Sequence, residues 1–165
     1  MTKSLDFTQE FEFQGKEFCV QPATENELEY LRNWKNENRF SFHYQEVISS
    51  SQQKAWFEKF VLDKNSQIYI LFLQERPVAC VGYRYGKTQR DVELFNLICG
   101  APEYQGSGLM KTFFDSTRMA LQSKGISQIH LEVLKSNQRG VAWYLRQGFI
   151  TIREEKTFFE MTLKL

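Results

Sequence analysis

The chain reads as an α/β protein of the α+β kind: a mixed, mostly antiparallel twisted sheet of about seven strands flanked by four helices, in one domain spanning residues 1–165. Three observations predict it. Two helix-start signatures follow one another early in the chain; three strand-length runs then come with short links between them; and the last third alternates helical and strand patterns before a closing hairpin. A length of 165 residues suits one hydrophobic core of ordinary size.

The opening element is a hairpin. Phe11-Glu12-Phe13 alternates, Gln14-Gly15 is a turn, Glu17 to Gln21 returns, and Pro22 stops the strand. Thr24 with Glu27 then forms a capping box for a helix whose one face carries Leu28, Leu31 and Trp34. A second box, Ser50 with Gln53, opens a helix whose stripe of Trp56, Phe57, Phe60 and Val61 predicts a buried face. Between these helices, residues 36–46 are polar and aromatic without a period. They serve either as a connecting loop or as a substrate wall, in which the aromatic planes of Phe42 and Tyr44 beside His43 suit a sugar or a base.

Gln67 to Gln74, Val78 to Tyr85 and Val92 to Cys99 form the meander. Next comes Glu103-Tyr104-Gln105-Gly106-Ser107-Gly108, and after it apolar residues recur at helical spacing, with Leu109, Phe113 and Ala120 beside Met110, Phe114 and Leu121. Lys124-Gly125 ends that helix, Gln128 to Leu134 is a strand, Asn137 to Gln147 is a helix closed by Gly148, and Phe149 to Ile152 with Phe158 to Leu163 is the final hairpin. The order is β-α-α-β-β-β-α-β-α-β-β.

A strand feeding a glycine-rich loop and then a helix N-terminus is built for an anion. The first backbone N–H groups of the helix have no intrahelical partner, the dipole is positive there, and glycines let the backbone approach a phosphate. The loop lacks the Gly-Lys-Ser/Thr ending of a P-loop and the third glycine and acidic residue of a dinucleotide fold.

Composition narrows the function. The net charge of +1, from 21 basic and 20 acidic residues, suggests neither nucleic-acid nor membrane-surface binding. Cys19, Cys80 and Cys99 lie in strand-like runs and read as reduced core residues of a cytoplasmic protein, and two histidines are too few for a zinc cluster, so no metal is expected. The amino-terminal Met1 to Phe7 has no apolar signal core, and no run reaches membrane-spanning length.

The loop resembles the acetyl-CoA loop of the GNAT N-acetyltransferase superfamily, whose pattern is Gln or Arg, two residues, Gly, one residue, then Gly or Ala. Gln105 and Gly108 match and Gly106 is an additional glycine; Met110 stands where the family keeps a small residue and is expected to point into the core. A second segment, Asn137 with Gly140, Tyr144 and Gly148-Phe149, resembles the other recurrent GNAT motif, with Gly140 read as a close approach of helix and cofactor. The element order is similar to that of the GNAT fold over nearly the whole chain.

The resemblance implies direct transfer of acetyl from acetyl-CoA to an amine, with no covalent enzyme intermediate. It implies that Leu97, Ile98 and Cys99 hold the thioester oxygen and pantetheine amides through their backbone, and that the backbone from Gln105 through Gly106, Ser107, Gly108 and Leu109 to Met110 holds the pyrophosphate, with Asn137 beside the cofactor. Tyr144 matches the tyrosine that protonates the leaving thiolate. For the base, Glu93 shares a face with Phe95, Leu97 and Cys99 if no bulge intervenes, with Glu132 and His43 as further candidates. The acceptor side is assigned to Phe42, His43, Tyr44 and Glu132. Residues 31–39 and the following helix resemble the subgroup of ribosomal-protein N-terminal and nucleotide-amino-sugar N-acetyltransferases, which implies a small amine, such as a nucleotide-linked amino sugar, or a protein N-terminus as acceptor. A non-catalytic acyl-CoA-binding or interaction module is the alternative, and the chain is expected to be a monomer or a homodimer, with the Phe158-Phe159 hairpin either covering the core or serving the dimer.

Overall fold

A computed structural model describes residues 4–165; the first three residues of the amino-terminal stretch read for a signal segment lie outside the described residues. One eight-stranded sheet carries the fold. Its strands are β1 (Gln9–Phe13), β2 (Lys16–Pro22), β3 (Ser66–Leu73), β4 (Arg76–Tyr85), β5 (Asp91–Cys99), β6 (Gln128–Leu134), β7 (Ile150–Glu154) and β8 (Phe158–Lys164). They lie in the order β1-β2-β3-β4-β5-β6-β8-β7. The count exceeds the expected seven because both arms of the opening hairpin join the sheet, β1 pairing β2 and β2 pairing β3. All neighbours are antiparallel except β5 and β6.

The four expected helices are α1 (Leu28–Glu37), α2 (Ser50–Phe60), α3 (Leu109–Ser123) and α4 (Gln138–Arg146). The Thr24–Glu27 capping box forms as read, opening a short 3-10 turn, Glu25–Glu27, that runs into α1. The second box sits one residue earlier than expected: Ser49 caps α2, and Gln52 returns the hydrogen bond to the Ser49 N–H. Gly125 (φ +87°) and Gly148 (φ +96°) end α3 and α4 in the left-handed region, as the sequence predicts.

The sheet buries a core on each face. On one side Phe113, Phe114 and Leu121 of α3 pack on Tyr69, Val81, Val92 and Leu131; on the other Leu31 and Trp34 of α1 pack on Ile68, Ile70, Cys80 and Ile98. The stripe predicted to bury α2 does not. Trp56 and Val61 are exposed, Phe57 and Phe60 only half-buried, and Gln53 is the buried residue of the helix. Trp56 stacks on Phe60 at 4.9 Å between ring centroids, so the aromatic residues cover one another at the surface. Cys19 and Cys99 are half-buried and Cys80 is buried; all three are free thiols. No helix among the described residues is long and apolar enough to cross a membrane.

Candidate active site

The one parallel pairing in the sheet is short. Asp91, Val92 and Glu93 pair with Gln128, Ile129 and His130, and there the ladder ends. Beyond it the two strands part around a cavity of about 490 Å³, with Leu97, Ile98 and Cys99 on one wall and Glu132 and Val133 on the other. The end of the cavity toward α3 is closed by Tyr104, Gln105, Gly106, Gly108 and Met110, and one side by Asn137, Gly140, Trp143 and Tyr144 of the α4 region.

A bulge sets how β5 faces this cavity. The register with β4 shifts between Cys80 and Gly82, and Asn96 takes φ +50°. Asparagine tolerates that left-handed backbone better than most residues. Val92 and Leu94 belong to the α3-side core, yet Ile98, also even-numbered, belongs to the α1-side core. The extra residue has turned the strand over. Phe95 packs with the α1-side core while Leu97 and Cys99 pack against the other, so Glu93 lies on the opposite face from Leu97 and Cys99. The shared face expected from simple alternation is corrected, and Glu93 does not line the cavity.

The glycine loop is an anion cradle by its hydrogen-bond accounting. Within it, the Gln105 N–H donates to the Pro102 carbonyl, that of Ser107 to the Tyr104 carbonyl, and that of Leu109 to the Ser107 hydroxyl. The N–H groups of Gly106, Gly108, Met110 and Lys111 find no acceptor among the described residues. Gly106 (φ +73°) and Gly108 (φ +93°) turn the chain in the left-handed region, and a Cβ at Gly106 would meet no protein atom within 4 Å. These four donors lie at the positive end of α3, an arrangement suited to an anion; they include Gly106, Gly108 and Met110 of the expected set and add Lys111. Two residues of the expected set serve the loop instead: Ser107 braces it, donating from Oγ to the Tyr104 carbonyl at 2.6 Å, and Leu109 is wholly buried in the core. Met110 is half-buried, packing against the core as expected while also lining the cavity.

Asn137 caps α4, its Oδ1 accepting the Gly140 N–H at 3.0 Å. A Cβ on Gly140 would lie 2.4 Å from Asn137 Nδ2, so the close approach that requires glycine there is to the capping carboxamide. Gly140 also lines the cavity, on the side formed by α4. Tyr144 is held edge-on by Trp143 and Phe149, at 5.4 and 5.5 Å between centroids, and its hydroxyl makes no hydrogen bond to a described residue. Burial pushes its phenol well above the ordinary value, so it stays protonated at neutral pH.

On the α1 side the loop residues divide. Phe42 lines the cavity together with Asn38 and Ser41. His43 does not line it but reaches one of its walls, Nε2 lying 2.9 Å from Glu132 Oε2, and its ring meets Phe158 edge-on. Tyr44 is exposed and outside the cavity. Residues the sequence reading missed come mostly from α4: Arg139, Trp143, Arg146 and Gln147 line the cavity beside Gly140 and Tyr144. Their spacing of three and four is a helix face, but a mixed polar one, which hydrophobic periodicity does not report. Among the described residues no group of three His, Cys, Asp or Glu side chains comes together to hold a metal.

A mixed sheet parted beside a helix N-terminus with four unpartnered N–H groups, and an unbonded tyrosine in the cleft, fits an acyl-CoA-dependent transferase, and comparison with known proteins places the chain in that class. The family model for the acetyltransferase (GNAT) family matches residues 28–149, and the chain belongs to that family. No curated protein sequence matches it. Solved structures share its fold at low identity: an acetyltransferase from Thermus thermophilus (TM-score 0.76, 19% identity, covering 90% of this chain and 97% of that one) and the spermidine N-acetyltransferase of Vibrio cholerae in complex with CoA and spermine (0.75, 20%, 89% and 95%). A further one is FdhC, a nucleotide-linked sugar GNAT (0.72, 15%, 89% and 86%).

Proposed function

We propose that this enzyme carries the acetyl group of acetyl-CoA directly to the primary amine of a small molecule, a nucleotide-linked amino sugar being the acceptor class that the loop chemistry fits best. The observation that carries the cofactor half is the row of four unpartnered N–H groups opening onto the cleft. Acetyl-CoA supplies the activated acyl group; the residues of the chain hold it and move protons. Gly106, Gly108, Met110 and Lys111 donate to the pyrophosphate, while the bulge turns the backbone of Leu97–Cys99 toward the acyl end. Tyr144, kept protonated by burial, gives its proton to the departing sulfur.

Glu132 with His43 is the base pair this reading prefers to Glu93. Glu132 lines the cleft and Glu93 does not. Glu132 accepts the proton of the amine from within the cleft, and His43, hydrogen-bonded to it through Nε2 at 2.9 Å, holds its carboxylate in place from outside.

For the acceptor, a second opening shares Ser41, Asn137 and Arg139 with the cavity and adds Phe40, Gln45, Ser136 and Gln138. The Phe40 ring is 65% exposed, and the Arg39 guanidinium stacks on it at 4.4 Å, making a fixed aromatic platform. A stacking plane, hydroxyl and amide groups and the Arg139 guanidinium suit a base and its phosphates. The fold of FdhC, described as acting on a nucleotide-linked sugar, supports this class. The row of Glu93, Glu132 and Glu160 on neighbouring strands favours a second reading, a polyamine, which the spermine-bound Vibrio cholerae enzyme also supports.

Thiol release from acetyl-CoA, measured against nucleotide-linked amino sugars, polyamines and peptide N-termini, tests the proposal. Amino-sugar turnover is expected, with Phe40→Ala raising KM for the acceptor by roughly tenfold, the value of one stacked ring, and leaving KM for acetyl-CoA unchanged. Transfer to polyamines alone would replace the acceptor class, and tight CoA binding without transfer to any amine would overturn the catalytic reading.

A further inference from the structure

Lys35, in the last turn of α1, has no part in the chemistry above, yet it joins the bulge of β5 to a residue of the cleft. Its Nζ donates to Asn96 Oδ1 at 2.5 Å and lies 3.3 Å from the centroid of the Phe42 ring. Asn96 is the bulge residue with the left-handed backbone; Phe42 lines the cavity from the α1 side. The Asn96 carbonyl is held from the other direction by the Cys80 thiol, which donates to it at 3.3 Å. The bulge is thus clamped at its main chain by β4 and at its side chain by α1.

We propose that Lys35 is a positioning residue of the transfer site, joining bulge to aromatic wall so that β5 presents Leu97–Cys99 to the cleft in one fixed orientation. The inference rests on the reading of this cleft as the acetyl-CoA site. A charge so placed is unusual for mere packing. Half-buried lysine is costly unless its ammonium is used, and here it meets a carboxamide and a π face rather than a carboxylate. The charged and titratable groups on the α1-side face of the sheet include Cys80 and Arg84 on β4 and Glu93 on β5, α2 carries Lys54, Glu58 and Lys59, and Arg39 sits in the turn before Phe42; among the described residues none makes an ion pair with it. Burial lowers the ammonium to about 8, while burial raises the neighbouring Cys80 thiol to about 12, so the lysine titrates first. Below pH 8 the ammonium holds Phe42; as pH rises through 8 the charge is lost, the hold on the ring weakens, and the site loosens.

The test compares wild type with Lys35→Met, Lys35→Arg and Asn96→Gly, reading CoA affinity by calorimetry, kcat and KM separately, and the pH profile. Lys35→Met is expected to weaken CoA binding and lower kcat, each by about tenfold, the loss of one charge-assisted bond and one cation–π contact. Arginine keeps charge, donors and stacking; Lys35→Arg is expected to recover most of both and to lose the fall in kcat/KM near pH 8. Asn96→Gly keeps the positive φ but removes the acceptor while leaving the ammonium over Phe42, and is expected to show part of the Lys35→Met loss, with the double variant no worse than Lys35→Met alone. This variant also keeps the test open should Lys35→Met fail to fold. Unchanged CoA affinity and pH profile in folded Lys35→Met, or additive losses in the double variant, would overturn the role of Lys35. A wild type that binds no CoA would overturn the reading of the cleft itself.

Discussion

Gly140 separates two effects that usually travel together. In Gly140→Ala the helix gains about 1 kcal/mol of propensity, but the new Cβ pushes away the Asn137 carboxamide that caps it, at a loss of about 1 kcal/mol. The two nearly cancel. Thermal unfolding should therefore move by no more than a few degrees, while CoA affinity measured by calorimetry drops several-fold because Asn137 also lines the cleft. Equal affinity in the variant would remove Asn137 from the cofactor site. Tyr144 makes the complementary case. Tyr144→Phe keeps the ring and its edge-on contacts and removes only the proton donor, so kcat should fall by about 10²-fold with CoA affinity retained.

Among the elements, α2 and β5 mark where reading the sequence succeeded and where it stopped. The Thr24–Glu27 capping box, the three meander strands and the glycine stops of α3 and α4 were legible, because each rests on local chemistry, while the second box was found one residue out of place. The α2 stripe was not. Helical periodicity reports that apolar residues share a face, but whether a partner covers that face is a matter of tertiary arrangement, and here α1 and the sheet take up little of it. The consequence is measurable: Trp34→Ala should cost roughly 3–5 kcal/mol, as for a buried tryptophan, and Trp56→Ala less than about 1.5 kcal/mol in denaturant unfolding. In β5 simple alternation places Glu93 with Phe95, Leu97 and Cys99 unless a bulge intervenes, and the bulge at Asn96, where the apolar positions facing the α3-side core change from even to odd numbers, does intervene. One inserted residue moved Glu93 away from the cleft and left Glu132, on the neighbouring strand, beside it.

At the scale of the molecule, near-neutral charge conceals a local imbalance. The cavity is lined by Lys111, Arg139 and Arg146 against the single carboxylate of Glu132, which His43 partners. Raising ionic strength from about 0.05 to 0.5 M shortens the screening length to a few ångströms, and KM for acetyl-CoA should rise several-fold while KM for an uncharged amine acceptor barely moves. A flat response would mean that backbone N–H groups alone hold the phosphates. The two motifs that carried the family resemblance both line this basic cleft, from the loop before α3 and from α4, and each was legible because local backbone geometry dictates it, left-handed glycines in one and the Asn137 cap in the other. Residues facing the acceptor were harder to read, because a loop such as 38–45 meets its ligand with side chains that obey no period.

The early end of the β5–β6 ladder leaves the sheet with four margins. Two, β1 and β7, are its outer rims, where an unpaired strand can recruit a neighbouring chain. The other two face one another across the cleft, from Leu97 to Cys99 and from Leu131 to Leu134, each with a bare row of main-chain donors and acceptors. The cavity of about 490 Å³ lies between these two rows, so whatever enters it meets a sheet left unfinished on both sides.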